Sequence, residues 1–558
     1  MEIRSHKVPV KIHKTPSTTK ETTQAYYFSL IEHLKRILQN PIINSKLYFG
    51  PGVYNETCEE FWHGDLWAES PLFGQSKINT TKGEFASGDF IRYYTLNHNI
   101  KYGRIRSFII VKGILKVRIQ RLLSFNEIPS HLKSQDRFLN ANQKLWLLEE
   151  STLLFIDITY LIDHCIIWLE DNVSPLRYDF SVAEIIYKFN NRWKIRTINL
   201  RHQHPTEYLS FQDPPSEMPI LKFFLDLYYD DFGTFRNTYH SLGGVYLQIG
   251  NMPRKLRKQL RNHFIIGLVP FGTDIHDFIK PFLEEINQLE QGFMIVINNK
   301  KYWLIGGLGI ITTDLPQGND IAGILRHNAK YGCRTCYAAK ENLTDISFDI
   351  ILNSRYHQIT NNQFKEIQKL NSNSARTKRS TELGLRLYPG PLDPFLHDRH
   401  LHTPQDPYHA VVGKVARLLD CTCSIFTSQG ESDIIQYWKA FETPKKWSRL
   451  PNPITHRHSF MMSDILRLLM ILPFILQRCL HLDAIKKEYL TTTKERLGLS
   501  RLNDVIKKLI KTWAFVAKTS KEIFSNIISR TKYYDNLSQA LNDEQCALLE
   551  VSIIFIIN

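Results

Sequence analysis

Hydrophobic and polar positions alternate with a period of two over much of the first third of the chain and turn helical toward its end. Residues 46–205 carry short alternating runs, among them Phe90–Tyr94, Lys101–Lys112 and Leu115–Leu123, separated by Gly and Asn. That spacing predicts antiparallel strands and a mostly-β module, read as a small barrel. Its outward positions include Arg92, Arg104, Arg106, Lys116, Arg118 and Arg121. Such a face either receives nucleic acid or peptide or is simply a charged outer wall. Residues 1–45 read as a polar arm, with a linker-like stretch from Ser17 to Thr23, followed by a short helix over Tyr26–Gln39.

The pattern changes after Asp213-Pro214-Pro215-Ser216. Apolar runs predict strands over 219–230, 243–250, 264–271 and 302–313. A helix over 274–291 lies between the last two, with Ile275, Phe278, Ile279, Phe282, Ile286 and Leu289 at helical spacing and Pro281 as a kink point. The first and last of these strands each end in a carboxylate, Asp230 and Asp314. Three strands, a helix and a further strand match the opening of the ribonuclease H-like fold. There one acid lies on the first strand and a second just past the fourth, which are the places of Asp230 and Asp314. Residues 215–317 are therefore read as core strands of that fold and 318–455 as an insertion, with Ala375–Ser380 an exposed loop. Residues 456–558 read as a helical region completing the core. It holds a strongly apolar helix over Ser463–Leu480, with Asp464 on its first turn, and a basic tail from Lys486 to Lys521. The apolar end, Ile553 to Asn558, reads as a truncation. The fold class expected is a multi-domain α+β or α/β protein: a mostly-β module, a ribonuclease H-like domain with a zinc-containing insertion, and a helical C-terminal part.

At 558 residues the chain has room for several domains, and 43% hydrophobic with 22% charged residues marks it as globular. The net charge of +15 suits a polyanionic partner. Eight cysteines in so long a chain make no disulfide framework and point to a reducing compartment. No signal-peptide core opens the sequence, and the most apolar stretch, Ile465–Leu480, is broken by Arg467, Pro473, Gln477 and Arg478, so no membrane partner is expected.

Carboxylates converging from separate segments are what two-metal phosphoryl transfer requires, with Mg²⁺ or Mn²⁺ as the ions. Asp230 and Asp314 are the candidates and Asp464 the third acid; Asp231 is equally a turn residue before Gly233. Cys333 and Cys336 form a C-x-x-C, read as a zinc half-site because no thioredoxin-like pattern surrounds it. The other half is sought among His400, His402 and His409, then His327, His456 and His458, with His409 and His402 taken forward. Cys421 and Cys423 read as core. Gly306-Gly307-Leu308-Gly309 lacks a P-loop Lys and is read as close strand packing.

Over about residues 215–480 these motifs resemble the transposases of the CACTA-type superfamily, which also contains Mirage and Chapaev elements, and more closely its divergent fungal branch. Tyr229-Asp230-Asp231-Phe232-Gly233 is similar to the family's first-aspartate motif, with Asp230 in the aspartate position. Thr313-Asp314-Leu315-Pro316 is similar to the second, and Cys333 and Cys336 match the C-x-x-C that follows it. Asp406-Pro407-Tyr408-His409 resembles the acid-then-histidine element, and Asp464 with Leu472-Pro473 resembles the stretch holding the third acid. The resemblance implies a DDE/D transposase that cleaves and transfers DNA strands. It would have two Mg²⁺ or Mn²⁺ ions at Asp230, Asp314 and Asp464, a structural Zn²⁺ on Cys333, Cys336, His409 and His402, transposon-end and target DNA as partners, a homo-oligomeric state and a nuclear location. Departures are the Asp in place of Glu as third acid, for which Glu431 and Asp406 compete, and the lack of an N-terminal zinc-finger or helix-turn-helix module. The alternative is a non-catalytic DNA- or chromatin-binding derivative.

Overall fold

The computed structural model describes residues 2–12, 20–139, 141–150, 153–170, 173–198, 204–205, 214–215, 218–235, 238–343, 345, 347–447, 450–526, 528–530 and 532–552. The apolar end, residues 17–19 of the linker-like stretch, and Asp213 and Ser216 of the boundary lie outside the described residues. The chain is a mixed α+β protein of two compact units, residues 1–340 with 349–405, and residues 341–348 with 406–558. The insertion expected over 318–455 is therefore divided between the two.

The expected polar arm is instead a strand pair. β1 (Arg4–Pro9) and β2 (Thr22–Tyr27) run antiparallel, and β2 joins the sheet by pairing Tyr27 with Gly267 and Tyr26 with Leu268. Only Val8 and Ala25 of these strands enter the main core, too weak an alternation to read through a charged segment. Helix α1 (Leu30–Gln39) follows, its buried face formed by Leu30, Leu34, Ile37 and Leu38.

The mostly-β module holds β3 (Gly52–Tyr54), β4 (Phe90–Tyr94), β5 (Ile100–Val111), β6 (Ile114–Leu123), β7 (Trp146–Glu149), β8 (Leu154–Ile156), β9 (Leu161–His164), β10 (Glu184–Phe189) and β11 (Arg192–Thr197). They form one sheet in the order β9-β4-β5-β6-β7-β10-β11, with β8 on β6 and β3 on β5. Among the described residues no ladder joins β9 to β11, so the sheet does not close into the expected barrel. Its arginines are not an open basic face either. Arg92 is forked onto Asp163, Arg106 onto Glu69 and Arg121 onto Glu150. Arg118 meets Asp65 at 2.7 Å, and Arg104 is buried over the Phe90 ring. Charges satisfied this way are poorly placed to take phosphates.

The second sheet carries the four predicted core strands, β12 (Ile220–Phe235), β13 (Thr238–Ile249), β14 (Phe264–Val269) and β16 (Lys300–Thr313), and one that was not predicted, β15 (Phe293–Ile297). Between β14 and β15 the predicted helix divides at Ile279 into α2 (Ile275–Phe278) and α3 (Lys280–Gln291), with Pro281 in the first turn of α3, where its missing N–H costs nothing. The sheet order is β1-β2-β14-β13-β12-β16-β15, with β12 antiparallel to β13 and parallel to β16. Along β12 the side chains alternate between two cores. Phe223, Leu225, Leu227 and Tyr229 join α1 and α3, while Phe224 packs with Trp67, Leu72, Phe73 and Ile305. Glu285 of α3 ties the layers together by accepting from Ser29 Oγ (2.6 Å) and Leu30 N (2.5 Å), a carboxylate at the positive end of α1.

After β16 come α4 (Leu315–Ile321), α5 (His357–Lys369) and α6 (Asn373–Leu383). The predicted loop Ala375–Ser380 lies inside α6, where Arg379 pairs with Glu366 and Glu382. The second unit is helical: α7 (Pro407–Ser424), α8 (Ser428–Ala440), α9 (Met462–Cys479), α10 (Lys487–Arg496), α11 (Leu502–Ile523) and α12 (Tyr533–Ser552). Its core centres on α9, whose Leu468, Leu469, Leu472, Ile475 and Leu476 meet Val415 and Leu419 of α7 and Leu509, Trp513 and Val516 of α11. Cys423 is buried in this core, whereas Cys421 is half-exposed. Among the described residues no helix is long and apolar enough to cross a membrane.

Candidate active site

Parallel pairing brings Asp230, within β12, level with Asp314, just past the end of β16. Strand β12 does not stop at the acids as expected but runs on to Phe235, because β13 keeps pairing with it. The last residues paired between β12 and β16 are Tyr229 and Thr313, so Asp230 and Asp314 are the next residues along the two chain segments. The register slips between Leu225 and Asp226, where Gly309 on β16 is left over. A Cβ on Gly309 would lie 2.1 Å from Phe224, and one on Gly306 would lie 2.4 Å from the Phe223 carbonyl oxygen. The glycine run is thus close strand packing, as read from the sequence, and it sets the register that aligns the acids.

Strand alternation sends the two neighbouring acids of β12 to opposite faces. Asp230 accepts a hydrogen bond from Tyr228 Oη at 2.9 Å, and Asp231 accepts one from Tyr229 Oη at 3.0 Å. Asp314 caps α4, accepting from Gln317 N at 2.8 Å. Burial, and then the charge of Asp231 with lesser contributions from Asp274 and Asp314, pushes the Tyr229 phenol far above its ordinary range. Arg326 is held charged chiefly by Asp320, which it meets at 2.8 Å, with Asp314 and Asp231 adding to the same field. Asp231 and Asp314 therefore share two electrostatic neighbours, Tyr229 and Arg326. Sequence reasoning left Asp231 open between an acid of the site and a turn residue, and missed both neighbours. The Tyr-Asp pairing two residues apart on a strand was the available signal for Tyr229; Arg326 had none.

The three candidates for the third acid occupy the same kind of place, the start of a helix in the second unit. Asp464 accepts from Met461 N at 3.2 Å and lies 3.5 Å from Arg467. Glu431 is in the first turn of α8. Asp406 caps α7, accepting from Tyr408 N and His409 N, with its other oxygen on His409 Nδ1. Each position has a capping explanation that needs no metal.

Cys333 Sγ and Cys336 Sγ lie 3.5 Å apart, and hydrogen bonding from Cys336 holds the Cys333 thiol below its usual range. The turn between them is clamped from within. Buried Arg334 donates to Thr403 O, Leu315 O, Pro404 O and Asn319 Oδ1, and so joins the cysteine turn to the first residue after Asp314. The histidines lie elsewhere in hydrogen bonding. His402 Nδ1 is 3.3 Å from Leu308 O, and burial pulls its pKa down to about 4. His400 engages Arg334 O and Thr360 Oγ1 with its two ring nitrogens. His327, His456 and His458 are exposed.

Among the described residues, no three His, Cys, Asp or Glu side chains gather into a group able to hold a metal ion. The donors fit their ions in kind but only in part: carboxylate oxygens for Mg²⁺ or Mn²⁺, and a thiol pair for half a zinc site. No protein-family model matches the chain, and no curated protein matches it in sequence.

Proposed function

We propose that this chain is a DNA transposase-like protein whose ribonuclease H-like domain cleaves and transfers DNA strands with divalent metal. The observation that carries this reading is the register: the last residues paired between parallel neighbours β12 and β16, Tyr229 and Thr313, are each followed by an aspartate, Asp230 and Asp314, with Asp231 one residue further along β12. The order β14-β13-β12-β16, three antiparallel strands with a parallel fourth beside the first, supports the ribonuclease H-like assignment. The net charge of +15 supports a polyanionic substrate.

In this reading Asp314 and one of Asp230 and Asp231 hold the metal, which supplies Lewis-acid activation of the attacking oxygen and charge stabilisation of the leaving one. The α4 cap fixes the Asp314 carboxylate, and the Tyr228 and Tyr229 hydroxyls orient Asp230 and Asp231. Arg326, which stays forked onto Asp320, adds a positive charge to the field at Asp314 and Asp231. Cys333 and Cys336 would hold a structural zinc, with Arg334 relaying that clamp to α4.

The test is Mg²⁺- or Mn²⁺-dependent nicking of terminal-repeat DNA. Asp314→Asn is expected to lower the rate at least 100-fold, and one of Asp230→Asn and Asp231→Asn to match it, identifying the first acid. Undiminished cleavage by all three variants would remove the proposal. A second reading, a DNA- or chromatin-binding protein without chemistry, is favoured by the incomplete ligand set. Tight DNA binding with no metal-dependent nicking would select it.

A further inference from the structure

Helix α11 buries one face in the core of the second unit through Val505, Ile506, Leu509, Trp513 and Val516. From Lys507 to Lys521 its exposed positions are Lys507, Lys511, Ala514, Lys518 and Lys521. At 100° per residue the four lysines fall within a narrow arc, so they form one ridge rather than a scattered charge. No Asp or Glu occurs in the sequence between Lys507 and Lys521. The neighbouring Lys508 is turned aside onto Glu550 at 2.6 Å. On the ridge itself Lys507 meets Asp504 in an exposed pair at 3.2 Å, and Lys511 lies over the Phe515 ring. Exposed pairs of that kind are weak and readily exchanged for another anion. The arginines of the β module are in the opposite state, forked onto carboxylates.

We infer that this ridge is a docking surface for the phosphate backbone of duplex DNA. At 1.5 Å per residue it is about 21 Å long. A duplex presents a negative charge about every 1.7 Å of axis, so four lysines on a rigid rod meet phosphates without any need for base contacts. Lysine suits this role as a mobile point charge on a long stem, giving affinity without sequence preference. The inference rests on the DNA-acting reading above, but concerns binding and not chemistry.

The experiment measures the affinity of the full chain for a fluorescent duplex across a salt series. The ridge variant is Lys507→Gln, Lys511→Gln, Lys518→Gln and Lys521→Gln together. A control variant carries Lys→Gln at Lys112, Lys188, Lys365 and Lys369, which are exposed elsewhere and remove the same charge. Gln is a good helix former, so the ridge variant keeps its helix, checked by circular dichroism. Each lysine that contacts a phosphate contributes about 0.9 to the slope of log affinity against log salt, so the ridge variant is expected to lose about 3 to 4 of that slope. The control is expected to stay close to the wild type. An unchanged slope in the ridge variant, or an equal fall in the control, overturns the inference. Wild-type protein that binds no duplex overturns both this surface and the DNA-acting reading. A ridge-dependent slope in a protein that never nicks DNA keeps the surface and removes only the catalysis.

Discussion

Asp226 lies on the central strand β12, nearly sealed from water, with Thr312 Oγ1 at 3.4 Å from its carboxylate. Burial pushes its pKa up to about 6, against an ordinary 3.8, with Thr312 and the charge of Arg257 acting the other way. The native state therefore keeps a proton that the unfolded chain has already lost between about pH 4 and 6. By linkage, stability falls as pH rises through that window and levels off above it. Asp226→Asn removes the penalty. Urea midpoints are expected to show the variant more stable than wild type above pH 6, by an amount on the order of 3 kcal/mol, with the difference vanishing near pH 4. Further along the same strand Asp230 is half-exposed and Asp231 exposed, and each accepts a hydrogen bond from a tyrosine hydroxyl. The same residue type on one strand is thus buried at a cost at 226 and open to solvent at 231.

Strand β16 shows how a single glycine sets an element's register. Gly309 is the residue skipped in the β12 pairing, and the space a Cβ would need is filled by Phe224. Phe224 cannot yield easily, since it stacks on Phe61 and Trp67 at ring separations of 4.9 and 5.7 Å. Gly309→Ala is expected to destabilise the protein by about 1–3 kcal/mol, read as a lower urea midpoint, through overpacking at the bulge. Strands β12, β13, β14 and β16 and the apolar helix α9 were legible because their apolar runs are long. The N-terminal strands and α6 were not. β1 and β2 bury one main-core residue each, and α6 is a polar helix whose basic run reads as a loop when only charge is counted.

The largest core of each compact unit is built separately, one on the central sheet and one on α9. Two resolvable unfolding transitions are expected in a denaturant titration. Leu468→Ala, which opens a cavity in the α9 core, is expected to move one transition by about 2–5 kcal/mol, and Leu227→Ala in the sheet core to move the other. A single transition shifted equally by both would show one cooperative unit instead. Charge also differs with place. The net excess of the composition is not spread evenly: the β module answers its arginines with carboxylates, and α11 leaves its lysines toward solvent.

Local patterning was enough to establish the central strands, a helix interrupted near Pro281 and the close packing of the glycine run, because these follow from periodicity and backbone sterics within a few residues. Three-dimensional pairing was needed for the rest. Register between β12 and β16 puts Asp230 beside Asp314, and pleat alternation then assigns Asp230 and Asp231 to different faces. Ion pairing between segments distant in sequence turned an apparent basic face into a neutral one, and the buried clamp of Arg334 joined the cysteine turn to the helix that Asp314 caps. Partners of that kind are chosen by the fold, since no local spacing relates residue 334 to residue 403 or residue 92 to residue 163.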